Sequence, residues 1–444
     1  MNVAVMKTKA EQSLAEAFES AAEKLPGGEA VLDARRAAMA RFAATGLPHR
    51  RVEEWKYTDL RAGIKDALPL LLDDAAKVTV GDLIVALGPL AHLDVHRITF
   101  VNGRCRPELS DLGGSAIEVK PLGGSLIAAP DKVGAGLAMT TGPANDAVQS
   151  LNTAYMTDGA VVRIAAGIKA GKPLLIVYLR AGAEGRFTAV RNIIAAGDNS
   201  QATIIEAHVV LPGAAPEGQV NALTELTTGT GAKLTHIKVA VDDGRAVHLC
   251  NWNIGMGANS IYRGFQFTMG QGLARNQIFA TYKGEGTKLD LSGAYLARGG
   301  EHVDTTLVVD HAVPHCESRE LFKGVLDGHA RGVFQGKIIV QPNAQKTDGK
   351  QMAQVLMLSP DAEFDSKPEL EIFADDVVCG HGTTSMELDE DLLFYCKSRG
   401  IPDNEARALL IESFIGEAID KVEDEAIRTA LMAYATGWLR AGHG

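Results

Sequence analysis

From residue 161 to residue 373 the chain is a succession of short strand-like runs with no helical stretch between them. Residues 161–164, 174–179, 203–210, 234–241, 261–268, 303–309 and 330–340 are typical. Several alternate polar and apolar residues, as in Ile237-Lys238-Val239 and Phe265-Gln266-Phe267, which is the period of a pleated strand. Parallel strands joined by helices need about a dozen residues per crossover, and no such segments interrupt the runs. A sandwich or barrel closes near ~10 strands, whereas a solenoid has no upper limit. The number of runs leans toward stacked coils, with turns such as Asp242-Asp243-Gly244 and Gly284-Glu285-Gly286 at the corners. No strict repeat period is visible.

The ends read differently. Residues 9–25 place Leu14, Phe18, Ala22 and Leu25 at helical spacing until Pro26-Gly27-Gly28. A second helix is expected over 29–45. The next segment, Arg50-Arg51-Val52-Glu53-Glu54-Trp55-Lys56-Tyr57-Thr58, reads as packing that seats Trp55 and Tyr57 on the following unit. Residues 125–157 read as an insertion with a helix. Beyond residue 389 the pattern is helical again. Asp403 is expected to cap a helix reaching Lys421, with Ala406, Leu410 and Phe414 in one apolar stripe and Ile411, Ile415 and Ile419 in another. A last helix follows over 425–439. The two stripes exceed one packing face, so either a neighbour covers one of them or a local bundle buries both. The expected division is a helical region over 1–95, a β core over 96–385 and a helical region over 386–444.

At 444 residues the chain exceeds one ordinary core. Its 47 glycines and 5% aromatics suit tight turns and small-residue packing. A net charge of −11 argues against an electrostatic grip on nucleic acid or anionic lipid. The five cysteines are scattered without a C-x-x-C, which fits a reducing compartment better than a disulfide framework. There is no apolar signal core, and the longest apolar run, 174–179, is too short to span a bilayer. These features predict a cytoplasmic protein with no membrane partner.

Much catalytic chemistry is excluded. No phosphate-binding G-x-x-x-x-G-K-[ST] loop occurs, so the chain is not expected to hydrolyse ATP. Neither a dinucleotide fingerprint nor a serine-nucleophile elbow is present. A polysaccharide-cleaving β-helix would need paired carboxylates. The adjacent pair Asp375-Asp376 would point to opposite faces of a strand. No catalytic residue is assigned.

Two residues apart, Cys379 and His381 share one face of an extended chain, where both could reach one soft or borderline metal. Spacing alone leaves a second reading open, a buried thiol and a hydrogen-bonded imidazole at a strand end. His311, His315 and Cys316 also cluster, but on a strand and turn rather than a helix, and read as structural. Cys105, Cys250 and Cys396 are isolated and read as small core residues.

The order of several motifs carries a resemblance. Glu54-Trp55-Lys56-Tyr57-Thr58, Leu151-Asn152-Thr153-Ala154 with Asp158-Gly159, and Asn221-Ala222-Leu223-Thr224-Glu225 come first. Cys316-x-Ser318 with Phe322-Lys323-Gly324, Val333-Phe334-x-Gly336, Asp375-Asp376, Cys379-x-His381-Gly382 and Phe394-Tyr395 with Arg399-Gly400 follow. Together they resemble the SufD branch of the SufB/SufD family of iron–sulfur cluster assembly proteins, over most of the chain. Thr383 and Ala353-Gln354 depart from that pattern, which usually has Ala and an Asn pair there. SufB is disfavoured by Gly382, where it carries Glu, and by the lack of a Cys-rich N-terminal segment.

The resemblance implies a right-handed parallel β-helix with helical ends and a non-catalytic scaffold role. It implies a SufB partner at the terminal joint and a SufC ATPase on the C-terminal helices. His381, with Cys379 as a second donor, would face SufB, opposite a SufB cysteine, where a nascent Fe–S cluster is shared transiently. No cofactor is expected on this chain alone, and a homodimer is expected without partners. Rival readings are a homodimeric β-helix without a metal role and a carbohydrate-active enzyme.

Overall fold

The computed structural model describes residues 6–441 except 71, 73–75, 131–142, 144, 145 and 243. Its centre is a flattened β-solenoid of about eight turns. From Ala160–Ile164 onward each turn lays one strand in a nine-stranded sheet and the next in a ten-stranded sheet, so strands adjacent in sequence lie in opposite sheets. Neighbouring turns pair in parallel, as Ile261–Met269 does with Lys288–Ala297. Antiparallel pairs close only the first turn, His96–Val101 with Arg104–Cys105 and Glu118–Pro121 with Ala160–Ile164. The strand-like runs read from the sequence occupy these positions. One strand more than the sequence pattern delimits, Val378–Met386, continues the ten-stranded sheet.

Over the middle turns both faces of the ten-stranded sheet are covered, which explains why strands such as Lys233–Val241 carry buried residues on both sides. Between the sheets lie Ile176, Ile204, Leu234, Trp252, Tyr262, Leu291, Phe322 and Phe334. The N-terminal helices Lys9–Ala21 and Glu29–Thr45, with Ala147–Tyr155, cover the outside of the nine-stranded sheet through Leu14, Phe18, Phe42, Leu151 and Tyr155. The first is fixed by a reciprocal Thr8–Glu11 capping box. Val80–Leu87, Asp403–Ile419 and Glu425–Ala441 cover the other sheet.

The family motifs near the N-terminus are joints of this scaffold. Trp55 is buried beneath the Arg275 guanidinium, whose carbon lies 3.9 Å from the ring centre. Tyr57 is half-buried under Lys56. Asn152 donates to the Val190 and Asn221 carbonyls, both at 2.9 Å, and Asn221 returns a bond to Val148 at 2.8 Å. Asp158 accepts from the amides of Gly123, Gly159 and Cys105. Buried polar groups need partners, and these bonds stitch the N-terminal helices to the first turns.

The expected insertion contains helices Leu122–Ala128 and Ala147–Tyr155; 131–142 lie outside the described residues, as does Asp243 of one predicted corner. At the C-terminus the structure corrects the capping assignment. Pro402 occupies the cap position, and Asp403 is the first helical residue of Asp403–Ile419. Proline lacks a side-chain acceptor, so Asp403 acts through charge instead, binding Lys397 and Arg407, each at 2.7 Å. Ile411, Ile415 and Ile419 are buried against the ten-stranded sheet, while Leu410 and Phe414 are half-covered. Among the described residues, no helix is long and apolar enough to cross a membrane.

Candidate functional site

The two sheets end differently. The last strand of the nine-stranded sheet, Glu363–Ile372, carries Glu363, Asp365, Lys367, Glu369 and Glu371, with Pro368 in its middle. Charges and proline are the usual means of blunting an open edge. Its acidic residues are engaged inward along the sheet, Glu371 by Lys337 at 3.0 Å and Asp365 by Arg331. The last strand of the ten-stranded sheet, Val378–Met386, reads VCGHGTTSM and carries no carboxylate, lysine, arginine or proline. It pairs with Asp348–Met357 on one side, and no other strand of the described residues pairs with its outer edge.

Cys379 and His381 lie on this open strand, opposite Gly349 and Gln351. In-register parallel neighbours project to the same face, and that face is the inner one. Gln351 demonstrates it, because its Nε2 reaches the Gly336 carbonyl of the opposite sheet at 3.4 Å. His381 is nevertheless exposed, because no further turn stacks over it. Cys379 is half-buried against Ile338, Val340, Ala344, Leu370, Ala374 and Val377. Burial raises its pKa, with Asp348 and Glu320 adding to the effect, so the group is held as a thiol. Thr383, a departure from the family pattern, bonds Ser366 across the mouth at 2.9 Å.

Behind His381 the register continues inward. His381 stands over Gln351, and Gln351 over Glu320. Glu320 and Gln351 are each 3% exposed. Neither oxygen of Glu320, nor the side-chain oxygen of Gln351, has a hydrogen-bond partner among the described residues. Desolvation pushes the Glu320 carboxyl up to about 8, although Ser318 pulls the other way. A cleft of about 410 Å³ along this edge touches Glu320, Gln351, Cys379 and His381, but most of its lining, including Asp290, Arg319, Leu321, Lys350 and Met352, belongs to the outer face of the sheet. The sequence pattern does not single out Glu320 or Gln351; only the pairing register reveals them.

The remaining cysteine and histidine candidates do not converge. His311 is buried, stacked on Tyr282 at 4.3 Å, with Nε2 3.1 Å from the Ser318 hydroxyl. His315 is exposed in the following turn at φ 61°. Cys316 is buried, its thiol facing the Pro314 carbonyl at 3.4 Å. The acidic pair lies in the corner before the last strand. There the Asp376 amide donates to Gln345 at 2.8 Å, and its carboxylate holds Lys346. Of the three cysteines expected in the core only Cys250 is buried, its pKa pushed up to about 11; Cys105 is half-buried, with burial still raising its pKa to about 12, and Cys396 is half-exposed on its helix. Among the described residues, no group of three or more His, Cys, Asp or Glu is placed to hold a metal.

A second surface is apolar. Helix Glu390–Ser398 exposes Leu392 (51%), Phe394 (74%) and Tyr395 (56%), and the next helix exposes Leu409. Grooves of about 510 and 530 Å³ flank them. Both are mixed in character: Leu358, Leu388 and Phe394 line the first together with Glu387, Lys397 and Arg407, and Ala408, Leu409 and Leu439 line the second together with Glu405, Glu412 and Arg440.

Two family models match the chain. One describes the SufBD core domain of the SUF system of FeS cluster assembly and covers residues 179–414; the other describes the SufBD N-terminal region and covers 8–176. A SufBD-family iron–sulfur cluster assembly protein of Synechocystis is 33% identical over 390 residues, 85% of this chain and 84% of that one. SufD of Escherichia coli is 30% identical over 398 residues, 88% of each chain. SufD of Bacillus subtilis is 27% identical over 288 residues, 64% of this chain and 65% of that one.

Proposed function

The chain belongs to the SufBD family of iron–sulfur cluster assembly proteins, and from that premise we propose that it is the SufD-type, non-catalytic half of a cluster-building scaffold. The observation that carries this reading is an exposed imidazole, His381, on an uncharged strand whose outer edge is open. A row of unpaired amides and carbonyls recruits another strand. We assign that strand to SufB, and assign the cytoplasm as the place of assembly.

Pairing along Val378–Met386 would bring the partner's donors to His381 and Cys379. A neutral imidazole is a good ligand for iron, and a thiol becomes one when it gives its proton up to the metal exchange. Two donors do not complete a four-coordinate shell, so the remaining ligands come from the partner. The nascent cluster is cargo shared across the joint, and no tightly held cofactor is assigned to this chain alone. When SufB is absent, the same edge pairs with a second copy. The apolar residues Leu392, Phe394, Tyr395 and Leu409 fit a docking surface for the SufC ATPase, because exposed aromatic anchors beside grooves are the usual core of such contacts.

The test is His381→Ala in the co-expressed three-protein assembly. The complex should stay intact on a sizing column while its iron and sulfide content falls. Normal cluster content in that variant would remove His381 from the site.

A further inference from the structure

We propose that the mouth of the solenoid contains an inner subsite for a divalent first-row cation of the ferrous type, formed by the Glu320 carboxylate and the Gln351 side-chain oxygen beneath His381. The inference deepens the proposed function and rests on its reading of the terminal strand as the point of metal entry.

Three observations carry it. His381, Gln351 and Glu320 are consecutive in register on three adjacent strands. With parallel strands about 4.8 Å apart, Glu320 begins roughly 10 Å beneath His381 and Gln351 lies midway. Next, polar atoms of this column are unsatisfied: both Glu320 oxygens and the Gln351 oxygen are buried without a donor among the described residues. Such groups are costly to leave empty. A protein that only needed to fill this space would do better with an apolar side chain, as the next residue of the same column, Leu291, does. Finally, the opposite sheet is cut away to admit the amide. A Cβ on Gly336 would come within 2.2 Å of the Gln351 oxygen.

Nearby groups offset the buried carboxylate only in part, since Ser318 and Arg319 act against a larger cost of burial. Arg319 belongs to the outer face of its strand and binds Asp348 at 2.6 Å. The Ser318 hydroxyl is engaged by His311, and Thr383 and Ser366 bond each other. One carboxylate and one amide oxygen, completed by water, are hard donors suited to Fe²⁺ or Mn²⁺ rather than to a thiolate-bound cluster. The subsite therefore takes a single hydrated cation before cluster chemistry, and Gln351 links it to the imidazole at the mouth.

The experiment titrates the full chain alone with Mn²⁺ under anaerobic conditions, following the loss of the free-ion EPR signal, with Fe²⁺ as competitor. Wild type should take up Mn²⁺ that Fe²⁺ displaces. Glu320→Gln and Gln351→Met, both close in volume to the natural residues, should each weaken uptake about tenfold or more, while Glu363→Gln on the opposite edge should not. Unchanged uptake in Glu320→Gln, or no uptake by wild type, overturns the subsite. If Glu320→Gln does not fold, judged by circular dichroism, Gln351→Met decides alone. The titration needs neither SufB nor SufC. A failed subsite with cluster loss in His381→Ala leaves the functional reading standing, and the converse result leaves the subsite standing.

Discussion

Gln351 occupies the space that a side chain on Gly336 would need, its oxygen lying 2.2 Å from the ideal Cβ position. Gly336 belongs to strand Arg331–Val340 of one sheet and Gln351 to Asp348–Met357 of the other, so this contact sets how closely the sheets approach near the mouth. We predict that Gly336→Ala forces the amide aside and destabilises the chain by about 1–3 kcal/mol, the usual penalty of overpacking. Urea unfolding measures it. A midpoint equal to that of wild type would mean that Gln351 is free to move.

A larger loss is expected at the joint between the N-terminal region and the solenoid. Arg275 is fully buried, paired with the equally buried Asp304, stacked on Trp55 and bonded to the Glu54 carbonyl at 2.6 Å. Arg275→Met leaves Asp304 as an uncompensated buried charge, which typically costs about 3–5 kcal/mol. Denaturant titration should show the loss. A change below about 1 kcal/mol would indicate that Thr58 and Thr306, the other partners of Asp304, suffice.

His311 should make stability fall in acid. Burial lowers its pKa from 6.5 to about 4. Between those values the unfolded chain binds a proton that the folded chain refuses. The contribution of the neutral ring is therefore complete above pH 6.5, declines as pH falls to 4, and is level below that. Taken alone it amounts to up to about 3 kcal/mol over the window. Comparing unfolding of wild type and His311→Gln from pH 7 to 4 isolates it, since the gap between them should narrow as pH drops. A constant gap would count against the assignment.

At the apolar surface, Phe394→Glu should lower affinity for the SufC ATPase about tenfold or more, as expected for an exposed aromatic anchor. Because Phe394 is 74% exposed, the chain's own stability should stay within about 0.5 kcal/mol of wild type. Isothermal titration with purified SufC, alongside thermal unfolding of the variant, reads both. Unaltered affinity would place the docking surface elsewhere.

Much of the architecture is legible in the residues. Period-two runs without intervening helices specify many short strands, and helical spacing at Leu14 and Phe18 or at Ile411 and Ile415 specifies the flanking helices. The strand Val378–Met386 is harder to read because two glycines and small polar residues blur its alternation. The capping error at Asp403 has a similar origin, since sequence shows an acceptor near a helix start but not which residue has already turned helical.

The chain's own pattern determined that strands would stack without crossover helices, and that Cys379 and His381 would share a face. It did not determine which face. Ile237 and Val239 point outward beneath the helices, while Lys238 between them points inward and bonds Asn276. An amphipathic strand ordinarily turns its charge to water, but here both sides are buried, so alternation loses its sign. Nor could it align Glu320, Gln351 and His381, which are about thirty residues apart along the chain. Their alignment depends on the length of each coil and on the pairing of successive turns, which exist only once the solenoid has closed.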